Sequence, residues 1–127
     1  MTALCLRLNP ANYTVWHYRR QCLEALGRHS DPKAMQTDLD LASSLGGSNP
    51  KNYQIWYHRR ALLECVSLPD FLQGELDYIH NVLEADSKNY HAWSHRQWVV
   101  RTVDDEEVWK KEIEYGTYLY WQQERAG

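Results

Sequence analysis

The chain has 127 residues, enough for one domain, and its 14 basic and 17 acidic residues give a net charge of −3. This balance argues against a general binder of nucleic acid or of membrane surfaces. Six Trp and nine Tyr stand against a single Phe, which indicates broad packed faces, because these rings pack while their polar tips reach water or a partner.

Targeting and redox signals predict a cytoplasmic protein. Residues 1–8 are too short and too soon charged for a signal peptide, and no apolar run reaches the length of a membrane span. Cys5, Cys22 and Cys65 fit neither a zinc-binding spacing nor a disulfide framework. We therefore expect reduced, mostly buried thiols and no metal site in this chain.

In chain order, the first half predicts three helices. Residues 1–8 have the apolar pattern of the end of a helix. Asn12 then caps a helix that Gly27 ends. The next helix begins at Asp31 and Pro32 and runs to residues 46–47. The apolar stripe of the helix after Asn12 is expected to contain Tyr13, Trp16, Leu23 and Leu26.

The second half repeats this order. Asn52 and Asn89 cap two helices, another begins near Pro69 and Asp70, and a last helix is expected from Asp104 through Arg125. No segment keeps the period of a strand for long. The prediction is an all-α fold with about six helices, paired into right-handed hairpins as an α/α solenoid.

Self-comparison identifies three repeats of the frame Asn-Tyr-x-x-Trp-x-x-Arg, with Trp residues 40 and 37 positions apart. This period accommodates two helices and two turns and argues against the roughly 34-residue tetratricopeptide unit. We divide one domain, 1–127, into repeats at about 9–46, 49–85 and 86–125. The frame residues, taken as structural, are Asn12, Tyr13, Trp16, Arg19, Asn52, Tyr53, Trp56, Arg59, Asn89, Tyr90, Trp93 and Arg96.

The sequence of the three frames resembles one family. Asn9-Pro-Ala-Asn-Tyr-Thr-Val-Trp16, Pro50-Lys-Asn-Tyr-Gln-Ile-Trp56 and Lys88-Asn-Tyr-His-Ala-Trp-Ser-His-Arg-Gln-Trp98 are similar to the repeats of protein prenyltransferase α subunits. The likeness is strongest to the subunit shared by farnesyltransferase and geranylgeranyltransferase type I. It covers roughly Leu4 to Val100.

The resemblance implies a crescent of helical hairpins around a β subunit, active only as a heterodimer. Such enzymes transfer farnesyl or geranylgeranyl from its diphosphate to a cysteine near the C-terminus of CaaX-type substrate proteins. The β subunit carries the zinc and most of the isoprenoid pocket, and magnesium is implied for the complex. No cofactor is expected on this chain.

The resemblance also implies a set of site residues near the isoprenoid diphosphate. Lys51, Tyr90 and His91 are expected to act in catalysis, and Lys51, Tyr53, Lys88, Tyr90 and His91 to bind the diphosphate. Arg59 occupies a further matching position. The residues agree with this reading, because a lysine beside a helix N-terminus adds charge to an anion-binding end. Solvated loop lysines and a surface histidine remain the alternative.

Two departures from the family pattern matter. The family has more repeats, and the tail from Tyr115 to Gly127 does not continue into a fourth frame. We therefore expect a fragment, a truncated isoform or a partial gene model. Two other functions stay open: a scaffold that binds a protein partner without chemistry, and a peptide receptor of the tetratricopeptide type.

Overall fold

The computed structural model describes residues 1–46 and 52–126, and of residues 123–126 the backbone alone. Within these residues the chain forms seven α-helices, one short 3-10 turn and no strand. The all-α solenoid prediction is confirmed, with one helix more than expected. The helices are α1 (Thr2–Leu8), α2 (Tyr13–Ala25), α3 (Pro32–Gly46), α4 (Tyr53–Leu63), α5 (Leu68–Ala85), α6 (Tyr90–Val103) and α7 (Glu106–Ala126).

The three asparagines of the frame begin α2, α4 and α6 as N-caps. Asn12 Oδ1 accepts from the backbone N–H of Val15 at 3.1 Å, and Asn89 Oδ1 accepts from Ala92 at 3.2 Å. Asn52 Oδ1 caps α4 by accepting from the backbone N–H of Gln54, two residues on, at 3.0 Å. Each cap satisfies one of the backbone N–H groups that a helix start leaves without an internal partner. The frame therefore sets where these helices begin.

The ends of α2 and α6 both use the left-handed backbone region. After α2, Gly27 takes φ 70°, which costs a glycine nothing. After α6, Asp104 takes φ 48°, and its carboxylate accepts from the indole N–H of Trp109 at 2.9 Å. Asp105 then caps α7 by accepting from Val108. The chain thus reverses from α6 into α7 within two residues.

The tryptophans of α2 and α6 hydrogen-bond to the loop that precedes their own helix. Trp16 donates its indole N–H to Pro10 O at 2.7 Å, and Trp93 donates to Ser87 O at 2.8 Å. Trp16 is fully buried and Trp56 is 5% exposed, whereas Trp93 is only partly buried. The indoles of Trp16 and Trp93 therefore pack in the solenoid and also fix the loop that leads into their own helix.

The core forms three clusters, each built from neighbouring hairpins. One joins α1, α2, α3 and α4 around Trp16 and Ile55. A second joins α3, α4 and the start of α5 around Met35 and Leu63. A third joins α4, α5, α6 and α7 around Trp56 and Ile79. Burial shared between successive units is what makes a repeat array stable.

The expected stripe of α2 is wrong at two positions. Tyr13 is 63% exposed and Leu26 is 66% exposed, while Trp16 is buried. Tyr53 and Tyr90, whose rings the spacing also assigns to the core, are likewise mostly exposed. The reason is visible on α4, where the buried face follows Ile55, His58, Arg59 and Leu62. At 3.6 residues per turn, the first residue of the helix points away from that face.

The structure also bears on the predictions about membrane spans and cysteines. None of the described helices combines the length and apolarity needed to cross a membrane. All three cysteines are free thiols, but Cys5 and Cys22 are only partly buried and Cys65 is exposed, so the prediction of mostly buried thiols is wrong. Cys65 follows the C-terminal end of α4, outside the packed face of the helix.

Candidate functional site

The first turns of α4 and α6 bring three of the predicted site residues together. The ring centroids of Tyr53 and His91 are 6.1 Å apart, and those of Tyr90 and His91 are 5.8 Å apart. Tyr53 and Tyr90 each follow their capping asparagine directly. Two hydroxyls and one imidazole therefore lie beside two neighbouring helix N-termini, where N–H groups and the helix dipole favour anions.

Of the two lysines of the predicted site, Lys88 is among the described residues. Lys88 is exposed and directly precedes Asn89, and its backbone N–H donates to Asp86 Oδ1 at 3.3 Å. Lys51 lies outside the described residues. Arg59, the remaining position implied by the family, is buried in the core and does not face this surface.

A groove of about 510 Å³ runs from this cluster between α4 and α6. Its aromatic lining continues from Tyr53 through Tyr57 to Trp98. The guanidinium of Arg60 lies 4.8 Å from the Trp98 ring centroid and pairs with Glu64 at 3.1 Å. One end of the groove is thus tyrosine and histidine, and the other is a cation over an aromatic ring.

Beneath the groove lies a buried ionic network that connects three helices. Arg59 donates to both carboxylate oxygens of Glu75, at 2.9 and 2.5 Å, and His95 Nε2 lies 2.6 Å from Glu75 Oε2. Burial alone would raise the pKa of Glu75, but the hydrogen bonds and charges of His95 and Arg59 lower it to about 2. Glu75 is therefore a permanent anion that ties α4 and α6 to α5.

The preceding repeat contains the same network with an aspartate. Arg19 Nε donates to Asp38 Oδ1 at 2.8 Å, and His58 Nε2 contacts Asp38 Oδ2. Arg20 Nη1 lies 3.1 Å from His58 Nδ1. Because a guanidinium can only donate, Nδ1 accepts and the proton of the ring is on Nε2, facing Asp38. Burial lowers the pKa of His58, which agrees with a neutral imidazole.

The acidic partners were missed in the sequence, although a signal for them exists. Asp38, Glu75 and Glu112 are each 37 residues apart, and the third repeat pairs Arg96 Nε with Glu112 Oε1 at 2.6 Å. The step equals the distance from Trp56 to Trp93. A search for recurring acids at the repeat period would have found them.

Metal binding has no support from the described part of the chain. No group of three or more His, Cys, Asp or Glu side chains there is arranged to hold a metal ion. The buried histidines His58 and His95 are engaged by carboxylates within the core networks.

Comparison with known proteins agrees with the repeat architecture. No curated protein matches the chain. A family model described as "Protein prenyltransferase alpha subunit repeat" matches three times, at residues 1–26, 35–66 and 72–103, together more than half of the chain. The chain therefore belongs to the protein prenyltransferase alpha subunit repeat family.

Proposed function

We propose that this chain serves as the α subunit, or part of one, in a heterodimeric protein prenyltransferase. The complex would transfer farnesyl or geranylgeranyl from its diphosphate to a cysteine near the C-terminus of CaaX-type proteins. Family membership supports the subunit type. The observation that carries the proposal is the cluster of Tyr53, Tyr90 and His91 at two adjacent helix N-termini.

A β subunit is the proposed partner, and the exposed tyrosines support a protein interface. Five tyrosines on α2, α4 and α6 are at least half exposed, which is unusual for so many large rings on one set of helices. Tyrosine is enriched at interfaces because its ring packs while its hydroxyl bonds across. These residues are Tyr13, Tyr18, Tyr53, Tyr57 and Tyr90.

In the complex, the cluster would stabilise the diphosphate leaving group. As the carbon–oxygen bond of the isoprenoid breaks, negative charge grows on the bridging oxygen and spreads over the diphosphate. Tyr90 and His91 can donate hydrogen bonds to it, and Lys51 and Lys88 would add positive charge. Fixed donors at a helix N-terminus stabilise charge that develops in the transition state.

The metals of the proposed complex belong to the partner and the substrate. Zinc on the β subunit would activate the cysteine of the protein substrate by stabilising its thiolate form, and the family resemblance implies magnesium for the complex as well. This chain's own contribution would be to bind and orient the diphosphate through hydroxyl, imidazole and ammonium groups.

Reconstitution tests the proposal and separates it from a scaffold. The chain is mixed with a β subunit, complex formation is followed by size-exclusion chromatography, and transfer of labelled isoprenoid to a CaaX peptide is measured. We expect transfer by the complex and none by the chain alone. A complex that assembles without transferring isoprenoid would instead support a scaffold that binds its partner without chemistry.

A further inference from the structure

A pocket of about 270 Å³ lies between α2 and α4, and we call it the α2–α4 pocket. Its walls come from the second half of α2, the 3-10 turn at residues 28–30, the start of α3 and the end of α4. Described residues of the first two repeats therefore enclose it from both sides. It lies at the opposite end of α4 from the Tyr53 and His91 cluster.

The lining of the pocket combines an apolar floor with a few polar groups. Leu23, Met35 and Leu62 form the floor, and Met35 and Leu62 are buried. This composition is typical of small-molecule sites, whose volumes are usually about 300–1,000 Å³. The α2–α4 pocket is just below that range, so it has room for one small ring system.

The next repeat shows how a ring fills the matching space. Trp98 of α6 corresponds to Ala61 of α4 by the same 37-residue step that separates the frame tryptophans of these two helices. Arg60 of α4 corresponds to Arg20 of α2 by the 40-residue step. The Trp98 ring centroid lies 4.8 Å from the Arg60 guanidinium, and the ring also packs against the buried core. At the α2–α4 pocket the position of this indole is held by the methyl group of Ala61.

The α2–α4 pocket thus lacks a ring that the neighbouring pair of helices has. Among the described residues Arg20 forms no ion pair; its Nη1 meets His58 Nδ1 at 3.1 Å, and its guanidinium lies 5.0 Å from the Tyr57 ring centroid. A guanidinium without a carboxylate partner can pack against a further aromatic ring. The space left by Ala61 is therefore suited to an aromatic group.

A histidine at the pocket supplies an unused hydrogen-bonding atom. His29 borders the pocket, and its Nδ1 is buried without a hydrogen-bond partner in the described part of the chain. Such an atom marks a missing partner, because buried polar atoms are almost always hydrogen-bonded. In the tautomer that carries its proton on Nε2, the Nδ1 atom accepts a hydrogen bond. An N–H group of a ligand would satisfy it.

The thiol at the pocket favours a ring over a metal ion. Cys65 Sγ donates to Ala61 O at 3.4 Å, which holds the sulfur beside the space left by the alanine. Partial desolvation of the sulfur and the nearby Glu64 and Glu24 carboxylates raise the pKa of this thiol. The thiolate that binds metals is therefore disfavoured, whereas a neutral sulfur makes favourable contacts with aromatic rings.

We propose that the α2–α4 pocket binds a small neutral aromatic heterocycle of the indole class, whose ring occupies the place that Trp98 fills in the next repeat. The ring packs on Leu23 and Leu62, and its N–H donates to His29 Nδ1. The charges at the pocket select a neutral ligand. Glu24 borders it and repels an anion, and Arg20 borders it and repels a cation.

Calorimetry of the full chain with indole tests the proposal. We expect one indole per chain with a Kd below about 1 mM, within reach of so small a ligand. Benzofuran, a ring of the same size with oxygen in place of N–H, should bind about 2- to 10-fold more weakly, the range for one hydrogen bond. His29→Phe should abolish that difference. No saturable binding of indole, or equal affinities of the two compounds for the unmodified chain, would overturn the proposal.

A variant and a chemical probe locate the binding. Ala61→Trp should weaken indole by at least about tenfold, since a close-packed pocket has no room for two rings. The control is Ala25→Trp, at an exposed alanine of α2, which should leave the affinity unchanged. In the unmodified chain, indole should slow alkylation of Cys65 by iodoacetamide and not that of Cys5, as followed by peptide mass spectrometry. Undiminished binding to a folded Ala61→Trp variant, or a Cys65 rate that indole does not change, would contradict the proposal.

Discussion

Helices α4 and α6 each present two faces that differ in burial and in sequence. The buried face is the same on both, with Trp56, His58 and Arg59 matching Trp93, His95 and Arg96. The other face begins with an exposed tyrosine on both helices and then diverges, with the partly buried Gln54 on one and the partly buried His91 on the other.

The difference separates architecture from function. Residues of the buried face recur because each repeat must bond to its neighbours, and Asp38 and Glu75 recur with them. A residue that lies outside the buried face and does not recur, such as the partly buried His91, has no such structural role. Predictions that perturb one face while sparing the other test this division.

The largest effect is expected on the buried face at Trp56. Trp56→Ala removes a ring that is 5% exposed and packs against His95 and Tyr78. The free energy of unfolding should fall by about 3–5 kcal/mol in urea titrations, because of the lost burial and the cavity left behind. Tyr57→Ala on the opposite face, with its ring half exposed, should cost far less. Equal losses would contradict the assignment of the two faces.

The second-largest effect on stability is expected in the buried ionic network around Glu75. Glu75→Gln replaces a carboxylate that Arg59 and His95 both contact, and we expect unfolding to become easier by about 1.5–3 kcal/mol, the range for hydrogen bonds to charged groups. The matched control is Glu64→Gln, which alters the exposed pair with Arg60 and should change stability by less than about 1 kcal/mol. A neutral Glu75→Gln would show that the network adds nothing to the fold.

The residues in these two predictions differ in how well the sequence alone predicts their structural role. The asparagine caps and the recurring Trp predict the helix starts, because both act within a few residues. The acidic residues of the buried networks are not predicted in this way. Glu75 bonds to Arg59 and His95, which are 16 and 20 positions away in the sequence, and only the fold brings these residues together. The stripe predicted for α2 wrongly includes Tyr13, which is 63% exposed, since a three-residue step to Trp16 does not say which side of the helix faces the core. At the site, the family resemblance suggested Tyr53, Tyr90 and His91, but their proximity required the packing of α4 on α6.

The stability of the chain should depend on pH because groups of the buried ionic networks titrate differently in the folded and unfolded states. Glu75 binds its proton near pH 2 in the fold and near its ordinary 4.5 when unfolded, so acid favours the unfolded chain across that window. The lowered pKa of His58 acts in the same direction below its ordinary value of 6.5. Unfolding free energy should fall on acidification, by at most about 1.4 kcal/mol per pH unit for each proton.

Urea titrations from pH 7.5 to 2.5 measure this, with Glu75→Gln as the control. The variant should lose the Glu75 part of the decrease between pH 4.5 and 2.5 and keep the decrease nearer pH 6. It should also keep the part that comes from Asp38, because burial of that carboxylate is outweighed by its bonds to His58 and Arg19, which lower its pKa in the fold. A wild-type chain whose stability does not change over this range would mean that these groups titrate alike in both states.

The smallest effects on stability are expected on the exposed face. Tyr90→Phe should change the free energy of unfolding by less than about 0.5 kcal/mol, because Tyr90 is 76% exposed. His91→Ala should change it by less than about 1 kcal/mol, because His91 is partly buried but its ring contacts are with the exposed Tyr53 and Tyr90. In a heterodimer with a β subunit, the same variants should slow isoprenoid transfer. Variants that destabilise the fold as much as Glu75→Gln would place these residues in the architecture instead.

The most direct test of the account is single-turnover prenyl transfer by a reconstituted heterodimer carrying Lys51→Ala, with isoprenoid affinity measured separately. The control is Lys33→Ala, another lysine at a helix start but on α3. We predict that Lys51→Ala slows the chemical step by less than the ~10²–10³-fold typical of a buried transition-state contact. Isoprenoid binding should stay near normal in this variant, and Lys33→Ala should change neither quantity. Equal rates for the two variants and the unmodified heterodimer would contradict a role for Lys51 at the diphosphate.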